Sequence, residues 1–313
     1  MRSSFEIASL CSLLLASSSA AISIPANVQN LYDSIVRQGE CKNKAATGFY
    51  ALSDGTNGNF SYCQDHLDDY GIIYLQGSSG ALADMDIDCD GNQDEPSSSA
   101  NDGRCGKSSD TQSDTSYEDT VKSYGKGISN LNPYIHTYVV FGNSNDGNTA
   151  GYKTFDPTKY GIEPLSLMAV VCNKQVIFGI WGDTNGDDDG SKAMVGEAAI
   201  STGTLCFGDS ITGDNGHSDL DILYIAFNGT DAVPGASGAK WDATSADDFE
   251  SSLETLGTKL LERIGSSGSS VTTNSTSGGD GCSWSGHCAG ASCSTSDDCS
   301  GDMVCSSGTC SLS

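Results

Sequence analysis

The sequence predicts a mainly β body, built as a β-barrel with peripheral helices and followed by a small cystine-rich C-terminal module. Three observations carry this. Seven short segments rich in Val, Ile, Tyr and Phe, each bounded by Gly, Asn or Asp, read as strands. Only two segments keep helical apolar spacing, one near each end of the body. Six cysteines crowd between Cys282 and Cys310, behind a run of Gly, Ser and Thr.

The first helix is read from Val28, Leu31, Tyr32 and Ile35, which follow i, i+3, i+4, i+7, with Gly39 just beyond as a stop. The strands are expected at 47–52, 71–75, 136–141, 165–171, 175–181, 195–201 and 220–227. The second helix joins Phe249, Leu253, Leu256, Leu260, Leu261 and Ile264, with Ser245 and Asp248 resembling a capping box at its start. No repeat of solenoid length is present.

The chain ends carry different signals. Arg2, the apolar run from Ile7 to Ala16 and the small residues Ser18-Ser19-Ala20 read as a secretory signal peptide over 1–20, with the mature chain starting at Ala21. The apolar run is far short of the ~20 residues a membrane-spanning helix needs. Removing Cys11 with the leader leaves twelve cysteines. An even set in a secreted chain reads as disulfides, with the pairing open. No CxxC pair exists and the four His are scattered, so no metal and no cofactor are expected. Asn59, Asn228 and Asn274 head Asn-x-Ser/Thr triplets and are glycosylation acceptors in principle. Residues 265–281 are a flexible Gly/Ser/Thr linker. It separates the body (21–264), long enough to bury one core, from a module (282–313) that needs its disulfides as staples.

Charge narrows the partner. The formal net charge is −26, from Lys+Arg 15 against Asp+Glu 41. Linker and module hold Asp280, Asp297, Asp298 and Asp302 with no Lys or Arg, so the acidity belongs to the body. Nucleic acid and anionic membranes are repelled by such a surface, and a polycation is attracted. Acidity that merely aids solubility is the plainer explanation of charge taken alone.

Two acidic segments stand out. In QVIFGIWGDTNGDDDG a strand reaches Trp181, then Asp183, Asn185 and Asp187 follow, and Glu197 opens the next strand. Trp181 suits stacking on a pyranose face, and paired carboxylates suit acid and base work at a glycosidic oxygen. In DMDIDCDG, Asp84, Asp86, Asp88 and Asp90 share one face of a strand. Adjacent carboxylates repel unless a cation lies between them, and an amino-sugar ammonium or a metal ion would serve. Both segments also resemble calcium loops, but the position-12 Glu is replaced by Ser97 and Met194. There is no Gly-x-Ser-x-Gly elbow, Walker loop or dinucleotide fingerprint.

The segments GFYALSDG (48–55), DMDIDCDG (84–91), IFGIWGDTNGDDDG (177–190) and VGEAAI (195–200) together resemble the fungal chitosanases of glycoside hydrolase family 75. The resemblance spans roughly residues 45–240. It implies a secreted, extracellular endo-chitosanase that hydrolyses β-1,4 bonds between glucosamine units with inversion. It implies Glu197 and Asp183 as the catalytic pair. We assign Glu197 as general acid, beside apolar Val195, Ala198 and Ala199, and Asp183 as a base kept ionised and wet by the polar turn of Asn185 and Gly186. Asp187 is the competing base. Trp181, Asp84, Asp86, Asp88, Asp187, Tyr50 and Asp54 are the expected substrate contacts. The expected partner is chitosan, met by a monomer. By analogy, a double-psi β-barrel, as in some inverting endoglucanases, suits this strand–Asp arrangement.

Two other readings compete: a non-catalytic, calcium-dependent wall lectin or adhesin, and a hydrolase of a neutral β-glucan. The module spacing Cys-x5-Cys-x4-Cys-x5-Cys-x5-Cys-x4-Cys resembles small modules of fungal secreted enzymes. With Trp284 it fits sugar binding and a protease-resistant spacer equally.

Overall fold

The computed structural model describes residues 22–51, 58–106, 108, 111–188, 190–265, 303–306 and 309–312. The expected leader, nearly all of the linker and most of the cystine module lie outside the described residues. In chain order the elements are β1 (Ile22–Ser23), α1 (Ala26–Gln38), β2 (Lys44–Phe49), β3 (Phe60–Cys63), α2 (Leu67–Tyr70), β4 (Ile72–Gln76) and β5 (Ala83–Asp88). Then come α3 (Glu118–Ser123), β6 (Tyr138–Asn143), β7 (Leu167–Cys172), β8 (Gln175–Asn185), β9 (Glu197–Ala199) and α4 (Ile200–Phe207). The chain continues with β10 (His217–Phe227), α5 (Ala246–Leu261), β11 (Met303–Ser306) and β12 (Thr309–Leu312).

Six strands close on themselves. β8 pairs with β6, β6 with β9, β9 with β5, β5 with β10, β10 with β7, and β7 returns to β8. The β6–β8 and β5–β9 pairs are parallel, the rest antiparallel. The expected barrel is therefore present, and closure leaves no free edge within the ring. Outside it, β10 continues into β4, β3 and β2, and β1 covers one end of β8. Parallel neighbours cannot be joined by a tight turn. The connection 89–137 between β5 and β6, with the segment that follows β6, supplies the loops that build the site.

The core follows from the strand composition. β7 is buried along its whole length, as are Val176–Trp181 of β8 and Ile222–Phe227 of β10. α1 buries Val28, Leu31 and Ile35, and ends at Gly39, whose φ of 85° L side chains rarely adopt. α5 buries Phe249, Leu253, Leu260 and Leu261. Its start is capped as expected, the Ser245 hydroxyl oxygen accepting from the Asp248 N–H at 3.2 Å. Among the described residues no helix is long and apolar enough to cross a membrane.

Several expected strands differ in their bounds, the one at 47–52 lying at Lys44–Phe49. The strand at 175–181 runs on through Asn185. The one at 195–201 is strand only at 197–199 and then turns helical. An unbroken apolar run does not distinguish a buried strand from a buried helix. Here the helix wins because Cys206 must reach Cys172, and because the Ser201 and Thr202 hydroxyls donate to the carbonyls of His136 and Tyr138. β3 went unread: its four residues, FSYC, are too short for alternation to show. The six body cysteines pair as Cys41–Cys63, Cys89–Cys105 and Cys172–Cys206. Cys305 and Cys310, in register on β11 and β12, are also disulfide-bonded.

Candidate active site

The strand register assembles the site. On adjacent strands, Asp86 of β5 faces Glu197 of β9, Glu197 faces Val140 of β6, and Val140 faces Asp183 of β8. In-register partners point to the same side of a sheet, so one row carries three carboxyls with a valine between the last two. Strands stand about 4.8 Å apart, which puts Glu197 and Asp183 roughly 10 Å apart at their Cα atoms. Asp88, two residues along β5, extends the patch.

A bulge sets the direction of Asp183. Val139 pairs with Trp181 but Val140 with Asp183, so Gly182 is an extra residue in the ladder. Without it, Trp181 and Asp183 would share a face. With it they point to opposite faces. A Cβ on Gly182 would lie 2.6 Å from Tyr138 and 2.7 Å from Leu131, so only glycine fits. Gly196 does similar work before Glu197. Its φ is +94°, and a Cβ there would meet the Asp84 carboxyl at 2.7 Å.

The result is an open cleft of about 350 Å³. Val140, Thr115, Ser116, Ser144, Thr184 and Asn185 line it with eight carboxylates: Asp88, Asp90, Asp114, Asp146, Asp183, Asp187, Asp188 and Glu197. No Lys or Arg is among its described lining residues. Such a surface repels anions and concentrates cations.

Each acid has its own environment. Asp183 is 7% exposed. Its Oδ1 accepts from the Ser116 hydroxyl at 2.6 Å, the Ser116 N–H at 3.0 Å and the Thr184 N–H at 2.8 Å. Burial raises its pKa, and these three donors oppose the rise. Asp88 is pushed well above the usual carboxylate range, by burial first and then by Glu197, Asp183 and Asp90. One donor to Asp88 is the Asp90 N–H at 2.7 Å. Oxygens of Asp88, Asp90 and Asp183 lie within 4.8 Å of one another, so this trio could hold a cation. Asp84 is raised to about 8 by burial and then by Asp86. Asp86 is raised to about 6 by the surrounding protein, although solvent still touches it. Both hold for a carboxyl in a concave surface, where walls displace much of the water. Tyr138 and Tyr224 support the row. Their hydroxyls donate to the carbonyls of Asp90 and Asp84, and burial keeps both phenols protonated.

The cleft brings together Asp183, Glu197 and Asp88, with Asp86 beside Glu197 in the row. Four expectations are corrected. Trp181 is 2% exposed because the bulge turns it from the cleft. Its indole N–H donates to the Asp183 carbonyl at 2.9 Å and its ring meets Tyr117 edge-on, so it offers no face to a sugar. Asp84 is 2% exposed and cannot touch a polymer. Asp187 lines the rim, but its oxygens accept from the Gly147 N–H at 2.8 Å and the Thr149 N–H at 2.9 Å. Thr149 foremost, with Gly147, lowers its pKa, and the residue braces a loop. Asp183 is not wet. Its charge is favoured by donors instead of by water. Tyr50 lies outside the cleft lining, bonded through its backbone to Ala193 and Val195, with the Lys192 ammonium 5.5 Å above its ring. Asp54 lies outside the described residues.

Ser116, Asp114 and Gln112 were missed. They sit in the segment 111–118, TQSDTSYE, which has no periodicity and looks like solvated loop. The Cys89–Cys105 bridge helps hold the loop that leads to it, and Gly91 and Asp90 then bond the backbone of Gln112. That tethering, with the Thr115 hydroxyl donating to Asn130 and the Asn130 amide to the Ser113 carbonyl, carries Ser116 to Asp183.

Residues 85–263 match the family described as fungal chitosanase of glycosyl hydrolase group 75. An endo-chitosanase of Aspergillus oryzae is 41% identical over 259 residues, 82% of this chain and 98% of the relative. One from Aspergillus fumigatus is 39% identical over 257 residues, with the same coverage. Endo-chitosanase C of Aspergillus oryzae is 34% identical over 219 residues, 66% of this chain and 49% of the relative. The class is thus that of the glycoside hydrolases. Within it, the chain belongs to the group 75 family of fungal chitosanases.

Proposed function

We propose that this chain is a secreted, monomeric endo-chitosanase that cleaves β-1,4 bonds between glucosamine units with inversion. Glu197 is the general acid and Asp183 the general base. The observation that carries the reading is the register Glu197–Val140–Asp183. Inverting hydrolysis needs carboxyls about 6.5–9.5 Å apart, leaving room for a water between base and sugar. Residues one strand apart would be too close, and two strands apart is the right scale.

The proton distribution follows from the neighbours. Asp88 and Asp183 are too close for both to ionise readily. Asp88 lacks the three donors that Asp183 receives on one oxygen, so the proton goes to Asp88 and the charge stays on Asp183. Asp183 then takes a proton from the attacking water, while Glu197 gives one to the leaving glycosidic oxygen. The acidic cleft, with no Lys or Arg among its described lining residues, favours glucosamine ammonium groups over the neutral units of chitin or glucan.

The decisive experiment incubates the purified protein with chitosan, chitin and a β-1,4-glucan, with and without a chelator, and follows soluble oligomers and their first-formed anomer. Expected are oligomers from chitosan, the α-anomer first, and no effect of chelation. Glu197→Gln and Asp183→Asn should each lower turnover by about 10²–10⁴-fold while the protein stays folded. Near-normal turnover in Glu197→Gln, or a β-anomer released first, defeats the mechanism. The Asp88–Asp90–Asp183 trio also favours a calcium-dependent lectin as a second reading. Polymer binding without cleavage, abolished by chelator, would establish it.

A further inference from the structure

An endo-acting hydrolase must hold polymer on at least one side of the bond it breaks, which requires a path leading away from the cleft. A second groove, lined by Asn92, Asp94, Gln112, Ser113 and Glu118 among others, adjoins it. Its volume is about 410 Å³, comparable with the cleft itself. The two meet at Gln112, which lines both. Asp114 on the cleft side and Glu118 on the groove side face each other across the junction, close enough that Asp114, after burial, raises the pKa of Glu118.

The groove is built rigidly from the segments that build the catalytic centre. The Gly91 N–H donates to the Gln112 carbonyl at 3.0 Å, and the Gln112 N–H to Asp90 at 2.5 Å. The Asn92 amide donates to the Ser129 hydroxyl at 3.1 Å, and Ser129 is held in turn by Glu95 through its N–H and hydroxyl. The Asn130 amide donates to the Ser113 carbonyl at 3.2 Å. A floor so braced offers fixed polar groups to a ligand at little ordering cost. Asp94 is exposed and Glu118 half-buried, and no Lys or Arg is among the described lining residues. Its charge therefore matches the cleft's.

We propose that the groove is a run of further subsites, in which chitosan leaves the cleavage point over Gln112 and lays ammonium-bearing units against Glu118 and Asp94. This rests on the endo-chitosanase reading. Glu118 and Asp94 are then specificity-determining residues, favouring glucosamine over its neutral acetylated form. Their contact is made with polymer and not with the shortest substrates.

The test compares kcat/KM on long, highly deacetylated chitosan with kcat/KM on the shortest glucosamine oligomer the wild type cleaves. The ratio is read for wild type, for the double variant Glu118→Gln/Asp94→Asn, and for Ser113→Trp, which narrows the groove. Two solvent-accessible ion pairs lost should lower the ratio about tenfold, through KM on the polymer. Ser113→Trp should lower it too and shift the product lengths. A fall in either variant carries the proposal, because reduced folding scales both substrates alike and leaves the ratio untouched. An unchanged ratio in both overturns it. A wild type that releases nothing from chitosan defeats the parent reading instead, and the two failures are thereby distinct.

Discussion

Ser116 gives the sharpest handle on the proposed catalytic pair. Its hydroxyl donates to Asp183 at 2.6 Å, the shortest of the three bonds that oppose the effect of burial there. A hydrogen bond to a charged group is worth about 1.5–3 kcal/mol. At 1.36 kcal/mol for each pKa unit, Ser116→Ala should raise the pKa of Asp183 by about one to two units. A base works only when ionised. The acid limb of the kcat/KM–pH profile should therefore move up by about that amount, with a tenfold loss for each unit at pH values below it. The Ser116 and Thr184 N–H groups remain, so Asp183 keeps its place and the alkaline plateau should be near that of wild type. Initial rates on soluble chitosan from pH 3.5 to 6.5 measure this. A shift of the alkaline limb would make Asp183 the acid, and an unmoved profile would remove it from the reaction.

Three further outcomes follow. Asp84 has a buried oxygen without a hydrogen-bond partner and a pKa raised to about 8, so the folded state holds a proton that the unfolded chain releases near pH 4. Wild-type stability should thus fall as pH rises from about 4 to 8, by on the order of 5 kcal/mol from this group. Asp84→Asn should lose that part of the slope in urea unfolding at the two pH values, and an identical slope would contradict it. The acidic cleft predicts a KM for chitosan that rises with salt and a preference for highly deacetylated polymer; equal turnover of chitin would sink the electrostatic account. Truncation after Gly265 should weaken adsorption to insoluble chitosan and spare cleavage of soluble oligomers. Unchanged adsorption would make the module a spacer.

Some of this was legible in the chain alone. The two long helices are there because their apolar spacing and their stops are local properties, written in Val28, Leu31 and Ile35 or in Ser245 and Phe249. The barrel class follows from short, turn-bounded β-formers, and the acidic residues Asp183, Glu197, Asp86 and Asp88 from their density and their resemblance to a known pattern. Which of them face one another is a matter of register, and register is a contact between strands far apart in sequence. One glycine, Gly182, turns Trp181 inward and Asp183 outward. That reversal cannot be seen in Trp-Gly-Asp, because it exists only against Val139 and Val140 of β6. Asp84 is a candidate by strand alternation and Asp187 by its place in the acidic loop, and burial of one and backbone bonds to the other decide otherwise. Ser116 left no trace in its own segment. It matters because the closed barrel and its tethered loops carry it across 67 residues to a carboxyl whose pKa burial raises and whose charge its hydroxyl supports.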